Sequence, residues 1–386
     1  MNVLHLASWY PHEKYPYNGD FIQRQLIALS EFLPVTVIHL VKDTNLESNG
    51  FAISKHTRTN QMEEWLAGYG VIRTGIPFAD QFLSFLKYRR LLKQLVDDYI
   101  REKGKPDLIH VHVILNAGIV SMEISKELKI PYVVTEHSTI YHRNASENLW
   151  NRPFIFKKIN RNIIKNATAL LPVSENLGKL ISQFADIQKL FVVDNVVDTS
   201  IFNFNDLHYS DQLIFIHVSG MTEQKNIEGL LKGMKLLSLK KNNWKCKMVG
   251  PFSYEQKQLA IHLGISKFIE WIGEVGYAEV ATLMKKSHVH ILFSKYENQP
   301  CVNIEALCCG LPVIATDVGG LSEVVDHTNG ILIPSQNEHA LAEAMEKMIR
   351  QYDQYNRKKI SESAISRFGY KTIGNHLVDI YKSIIH

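Results

Sequence analysis

Short runs of apolar and β-branched residues recur along the chain, each followed by a longer stretch in which apolar positions return every three or four residues. The first signal predicts buried strands and the second amphipathic helices, and their alternation predicts βαβ units built on parallel sheets. The predicted strands are residues 3–7, 35–40, 108–113, 132–135, 169–173 and 191–193 in the first half. In the second half they are 214–218, 245–249, 268–272, 288–293, 312–315 and 330–333. The order repeats after about residue 205, where NVVDTSIFNFNDLHYSDQL is polar and turn-rich. Two Rossmann-like α/β domains in series are therefore expected, 1–205 and 206–370, presenting the carboxyl ends of their strands to a shared crevice.

A length of 386 residues suits two cores rather than one. With 43 basic against 39 acidic side chains the net charge is only +4, so no chain-wide basic field points to nucleic acid as a partner. The start, MNVLHLASWYPHEK, lacks a basic leader region and a small-residue cleavage site, and reads as a buried strand. No apolar stretch reaches the roughly 18 residues of a spanning helix, and a cytoplasmic location is expected. The four cysteines, Cys246, Cys301, Cys308 and Cys309, have no metal-ligand spacing and read as reduced thiols packed as small apolar groups. Neither a metal nor a cofactor is expected.

The candidate chemistry lies in SKYENQPCVNIEALCCGLPVIAT, where Glu297 and Glu305 stand eight positions apart. Glu297 falls in the loop after a predicted strand, and Pro300 suits the first turn of a helix that carries Glu305 about a turn and a half later. Taken singly, each acid would read as a solvated surface charge. Together they can point into one pocket whose helix start offers free N–H groups to an anion. Carboxylates suit the vicinal hydroxyls of sugar rings and a helix start suits a diphosphate, so a nucleotide-sugar is the expected guest.

These residues resemble the E-x7-E motif of the retaining family 4, or group 1, glycosyltransferases of the GT-B fold, and EALCCGLPVIATDVGGLSEVV with NGILIP follows the same pattern. SWYPHEKYPYNGDFIQRQ, PDLIHVH, VVTEHST, LPVSENL and VVDNVVDTSIF resemble successive landmarks of that family's first domain. The resemblance implies two Rossmann-like domains facing each other across a central cleft, with residues 371–386 forming a helix that crosses back to the first domain. It implies transfer of a hexose-type sugar from a nucleotide diphosphate to an acceptor hydroxyl, with retention, in cell-surface polysaccharide or glycoconjugate synthesis. Because no D-x-D-type motif stands in a plausible place and a lysine with a helix dipole can replace a divalent ion, metal independence is expected. Glu297 would bind the donor sugar and Glu305 the ribose. The backbone of Asn298, Gln299, Pro300, Cys301 and Val302 would meet sugar and phosphate, and Lys225 the diphosphate. His137 would lie by the donor sugar, and Gly19 would let backbone approach the diphosphate. One position departs from the pattern: Gly220 stands where the family often has arginine. A non-catalytic nucleotide-sugar-binding or scaffolding member of the same fold is the alternative that this departure supports.

Other features are less specific. His110 and His112 in the predicted strand are expected to face opposite ways, so that at most one reaches the site. Trp9, Tyr10 and Pro11 suit either an aromatic acceptor wall or plain packing. Residues 152–167 interleave Lys157, Lys158, Arg161 and Lys165 with apolar residues, the pattern of a helix resting on anionic lipid at the inner face of a membrane beside a glycan or lipid-linked acceptor, or of a solvated basic face. Residues 83–95 carry the same ambiguity. A dehydrogenase is excluded because no G-x-G-x-x-G follows either opening strand. A glycosidase would not need the lysine and anion-binding helix start that accompany the two acids.

Overall fold

In the computed structural model, which describes residues 1–13, 15–206 and 212–385, the chain divides into two compact units. The first comprises Met1–Tyr141, Glu147–Val196 and Tyr370–His386, and the second His142–Ser146 and Val197–Gly369. Among the described residues, no helix is long and apolar enough to cross a membrane.

The first unit runs β1 (Val3–Ala7), α1 (Asp20–Ser30), β2 (Val35–Asp43), β3 (Phe51–Thr59), β4 (Met62–Gly70), α2 (Pro77–Lys103), β5 (Leu108–His112), α3 (Leu115–Leu128), β6 (Tyr132–Glu136), α4 (Phe154–Asn166), β7 (Ala169–Pro172) and α5 (Glu175–Ser182). Its sheet has the order β3-β4-β2-β1-β5-β6-β7. The strands β1, β5, β6 and β7 are buried along their whole length, so helices cover both faces and the strands read as unbroken apolar runs. Side chains of α2, α3, α4 and α5 fill the core on one face. Those of α1 and the last helix of the chain fill the other.

Two strands escaped the sequence pattern. β3 pairs antiparallel with β4, which joins the sheet parallel to β2. β3 is exposed over nearly all its length and shows no apolar stripe, while Lys55 and Arg58 protect an open edge against strand pairing. Conversely, residues 191–193 do not form a strand. They run irregularly beside β7, with Phe191 N–H donating to Leu170 O and Val193 N–H to Pro172 O, both at 3.0 Å.

The second unit runs β8 (Leu213–Val218), α6 (Ile227–Ser238), β9 (Trp244–Val249), α7 (Tyr254–His262), β10 (Ile269–Gly273), α8 (Tyr277–Lys285), β11 (Val289–Leu292), α9 (Cys301–Cys308), β12 (Val313–Thr316), β13 (Gly330–Ile333), α10 (Glu338–Gln351) and α11 (Arg357–Phe368). All its strands are parallel, in the order β10-β9-β8-β11-β12-β13. The chain then forms α12 (Tyr370–Ile385), which packs on α1 as part of the first unit.

The units divide at Val196/Val197 rather than after residue 205. Val197 N–H donates to Phe368 O at 2.9 Å and Phe202 is fully buried in the second core, so this stretch already belongs to the second unit. Residues 207–211 of the polar stretch that suggested the boundary lie outside the described residues.

Candidate functional site

The strand order of the second sheet reverses at β8, whose neighbours are β9 on one side and β11 on the other. Loops leaving the carboxyl ends of two such strands diverge and open a crevice, which is where open α/β sheets hold ligands. The loop after β8 carries Lys225 and the loop after β11 carries Glu297, so the sequence-predicted pair flanks this switch point.

The two side chains meet: Lys225 Nζ lies 2.5 Å from Glu297 Oε1, with side-chain exposures of 17% and 6%. Ser294 Oγ donates to the same oxygen at 2.8 Å. The loop that holds Glu297 is clamped from several sides. Lys295 N–H donates to Gln224 O at 2.8 Å and Gln224 Nε2 to Tyr296 O at 2.8 Å. Thr316 Oγ1 and Ser335 Oγ both donate to Ser294 O, at 2.8 and 3.1 Å. A carboxylate held in this way keeps its position without a ligand.

The α9 helix starts at Cys301, with Pro300 in the capping position just outside it and no side chain capping its end. Its first peptide N–H groups, from Cys301 and Val302, form the anion-attracting end of the helix. Asn298 and Gln299 are buried at 4% exposure each, and Asn298 O accepts from Gly320 N–H at 2.9 Å. Glu305 lies a turn further in, 3% exposed. Burial, with smaller contributions that include the Glu305 carboxylate, pushes the Cys309 thiol up to about 12. Burial and its neighbours Cys309 and Glu305 also push Cys308 up, so both cysteines are inert packing groups.

The position that departs from the family pattern is open. A Cβ at Gly220 would meet only Thr222 Cγ2, at 3.8 Å. The next residue, Met221, adopts φ 47°. Its N–H donates to Ser219 Oγ at 3.0 Å, and Ser219 Oγ donates to His217 Nε2 at 2.7 Å. His217 Nδ1–H donates to Ile291 O at 2.9 Å, and burial lowers the histidine to about 4, so it stays neutral and holds one tautomer. Sequence reasoning missed His217 and Ser294, and missed His142, whose Nε2 lies 2.7 Å from Asn298 Oδ1. Nothing in their local pattern marks them; only the alternation of strand and loop would have placed them at a carboxyl edge.

In the first unit, Gly19 and His137 also lie at the carboxyl edge of their sheet. Gly19 precedes α1 with φ 72°, and a Cβ there would sit 2.7 Å from the Trp9 carbonyl carbon, so close backbone approach requires glycine. His137 follows β6 and packs 4.4 Å from the Phe21 ring. Burial lowers it to about 3, partly offset by the Asn195 side chain. Glu136 beneath it accepts from the N–H groups of His137 and Ser138, both at 2.8 Å. Tyr10 is fully buried with its hydroxyl donating to Glu64 at 2.7 Å, which makes it a packing residue rather than an acceptor wall.

The expectation for His110 and His112 is corrected. Residues two apart in a strand share a face, and their rings stack at 4.1 Å. With His5 they bring ring nitrogens within 4.8 Å of one another. This set does not suit a metal ion. His110 commits Nδ1 to Tyr381 Oη at 2.5 Å and Nε2 to Thr135 Oγ1 at 2.6 Å. His112 Nε2 in turn lies 3.2 Å from His5 Nδ1, so these nitrogens are engaged with each other. All three are fully buried, and burial drives their pKa values far down, so they form a neutral polar core beneath α12. A recess of about 690 Å³ in the second unit is lined by Lys347, Lys359 and Arg367, but it lies at the amino-terminal edge of β13, away from Lys225 and Glu297.

Comparison with known proteins agrees with the fold. Residues 198–367 match the model of glycosyl transferases group 1, and residues 45–201 that of glycosyltransferase family 4. Alpha-monoglucosyldiacylglycerol synthase of Streptococcus pneumoniae is 24% identical over 367 residues, covering 89% of this chain and 80% of that protein. Among solved structures, sucrose-phosphate synthase from Thermosynechococcus elongatus superposes with a TM-score of 0.79 at 18% identity, covering 100% of this chain and 99% of that one. Anabaena HepE in complex with UDP superposes with a TM-score of 0.72 at 16% identity, covering 99% and 100%. With both sheets, the switch-point pair and two family models spanning most of its length, the chain belongs to the group 1 glycosyltransferases of the GT-B fold.

Proposed function

We propose that the protein transfers a hexose-type sugar from a nucleoside diphosphate donor to an acceptor hydroxyl with retention of configuration. The observation that carries this reading is the buried Lys225–Glu297 pair at the β8/β11 switch point beside the start of α9. Glu297 accepts from donor-sugar hydroxyls and Glu305 from the ribose, while Lys225 and the α9 N–H groups receive the diphosphate. The carbon–oxygen bond to the diphosphate breaks, and its electron pair leaves with the phosphate oxygen, where the lysine charge stabilises it. The acceptor oxygen attacks the same face of the oxocarbenium-like sugar and gives its proton to the departing diphosphate. Neutral His137 orients the donor sugar, and no divalent ion is needed. HepE, a fold relative, is a UDP complex, which makes a uridine donor the first to try.

The acceptor side carries apolar surface at helix starts. Phe154 and Ile155 open α4 at 72% and 63% exposure, and Phe78 opens α2 at 80%. The α4 sequence FIFKKINRNIIKN has four cations and no acid, so these tips suit an anionic bilayer at the cytoplasmic face that presents a lipid-linked or glycan acceptor. A binding or scaffolding role is the second reading, favoured only by Gly220 in place of the arginine.

The reading is tested by incubating the purified protein with uridine, guanosine and adenosine diphosphate sugars and simple alcohol acceptors, with and without EDTA, and following the anomeric proton by NMR. Nucleoside diphosphate release with an α-linked product from an α-linked donor, unchanged by EDTA, is expected. Inverted product or abolition by EDTA overturns the mechanism, and binding without turnover favours the second reading.

A further inference from the structure

Residues 142–146 belong to the second unit although the chain on both sides of them belongs to the first. Such an excursion needs contacts to hold it, and these are specific. His142 is 8% exposed, and its Nε2 lies 2.7 Å from the side-chain carbonyl oxygen of Asn298. An amide oxygen only accepts, so the histidine Nε2–H donates and the Asn298 side chain is fixed in one orientation. Asn144 Nδ2 reaches Lys295 O at 3.3 Å, and the His142 ring lies 6.0 Å from that of Tyr296. The partners are therefore Lys295, Tyr296 and Asn298, the residues on either side of Glu297. Gly320 N–H also holds Asn298 O, and Gly319, at φ 58°, passes so close that a Cβ would sit 1.7 Å from Glu297 O and 3.5 Å from His142 Cε1. The turn that carries Glu297 is thus held by both the 142–146 segment and residues 319–320.

We propose that His142 is a positioning residue for the sugar end of the donor site: by holding the Asn298 side chain it sets the turn that aims Glu297 at the donor hexose. This rests on the donor-site reading given above. His142 does not touch the nucleotide in this account, so its loss weakens the sugar-dependent part of binding and leaves the nucleotide part in place. Its hydrogen bond is buried, so removal is expected to cost about tenfold in affinity.

The test compares His142→Leu, which keeps bulk without a donor, and His142→Gln, whose amide N–H can still reach Asn298, with the wild type. Calorimetric dissociation constants are measured for UDP-glucose and UDP, GDP-mannose and GDP, and ADP-glucose and ADP. The expected result is about tenfold weaker nucleotide-sugar binding by His142→Leu, unchanged binding of the matching free diphosphate, and recovery in His142→Gln. A wild type that binds one nucleotide-sugar, with a His142→Leu variant that keeps the same ratio to free nucleotide, overturns the role of His142 alone. Equal loss of both ligands in His142→Leu, not recovered by His142→Gln, assigns the residue to the fold and also overturns it. A wild type that binds no member of the panel overturns the donor-site reading itself.

Discussion

Replacing Lys225 with methionine keeps most of the side-chain volume and removes the charge 2.5 Å from Glu297. Taking one partner from a buried ion pair costs about 3–5 kcal/mol, because the other charge stays buried without compensation. Lys225 is 17% exposed, and the Ser294 hydroxyl, 2.8 Å from the same carboxylate oxygen, remains to donate. The expected cost is therefore at the lower end, about 3 kcal/mol. For a unit of this size each kcal/mol lowers the midpoint by about 2–4 °C, which gives a fall of about 6–12 °C in the transition of the second unit. Differential scanning calorimetry is fitted with a separate transition for each unit, so that a single two-state fit is not imposed on both. Adding Glu297→Gln to Lys225→Met removes the stranded charge and should recover about half of the loss, a coupling readable from the double-mutant cycle. A Lys225→Met protein that melts within about 1 °C of the wild type, with no coupling to Glu297→Gln, refutes the buried pair as the element that organises the site.

Three further outcomes are expected. Gly220→Arg should fold with a midpoint near the wild type, because the position is open, and should bind the preferred nucleoside diphosphate about tenfold more tightly through a charge-assisted contact; unchanged affinity in a folded variant would show that the position does not face the phosphates. Gly19→Ala combines φ 72° with a Cβ 2.7 Å from the Trp9 carbonyl carbon, so calorimetry should show the first unit destabilised by about 2 kcal/mol or more, and a wild-type midpoint would contradict the close approach. Burial lowers His5, His137 and His290 to about 3 and His217 to about 4, whereas in the unfolded chain each protonates near 6.5. Because the unfolded state then binds more protons, stability is fully present above about pH 6.5 and declines as pH falls toward 3–4, by up to about 1.4 kcal/mol per pH unit for each histidine; urea midpoints that stay flat from pH 7 to pH 5 would contradict this.

The parallel strands were legible because burial on both faces forces continuous apolar runs, and Glu297 with the start of α9 stood out as an acid in a loop after a strand beside a helix start, whereas Lys225 stood out only through the family resemblance. β3 was not, since an edge strand open to solvent carries the composition of a loop. The strand histidines were misread for a related reason. His5, His110 and His112 face a core, and their partners Tyr381 and Thr135 lie 271 and 25 residues from His110, so no local pattern announces that a polar ring is satisfied there. The grip of His142 on Asn298 spans 156 positions and is equally invisible in sequence. The unit boundary shifted because Val197 and Phe202 are apolar residues within a stretch that reads as a linker, and burial in the second core decides where they belong.

The central claim is that the Lys225–Glu297 crevice with Glu305 is a nucleotide-sugar site. It is tested most directly by isothermal titration of the wild type and Glu305→Ala with UDP-glucose, GDP-mannose and ADP-glucose. The account predicts that one donor binds the wild type and that Glu305→Ala weakens it by about tenfold or more, since a carboxylate hydrogen-bonded to ribose is lost. Donor binding that is indifferent to Glu305→Ala, or a wild type that binds none of the three, would contradict it.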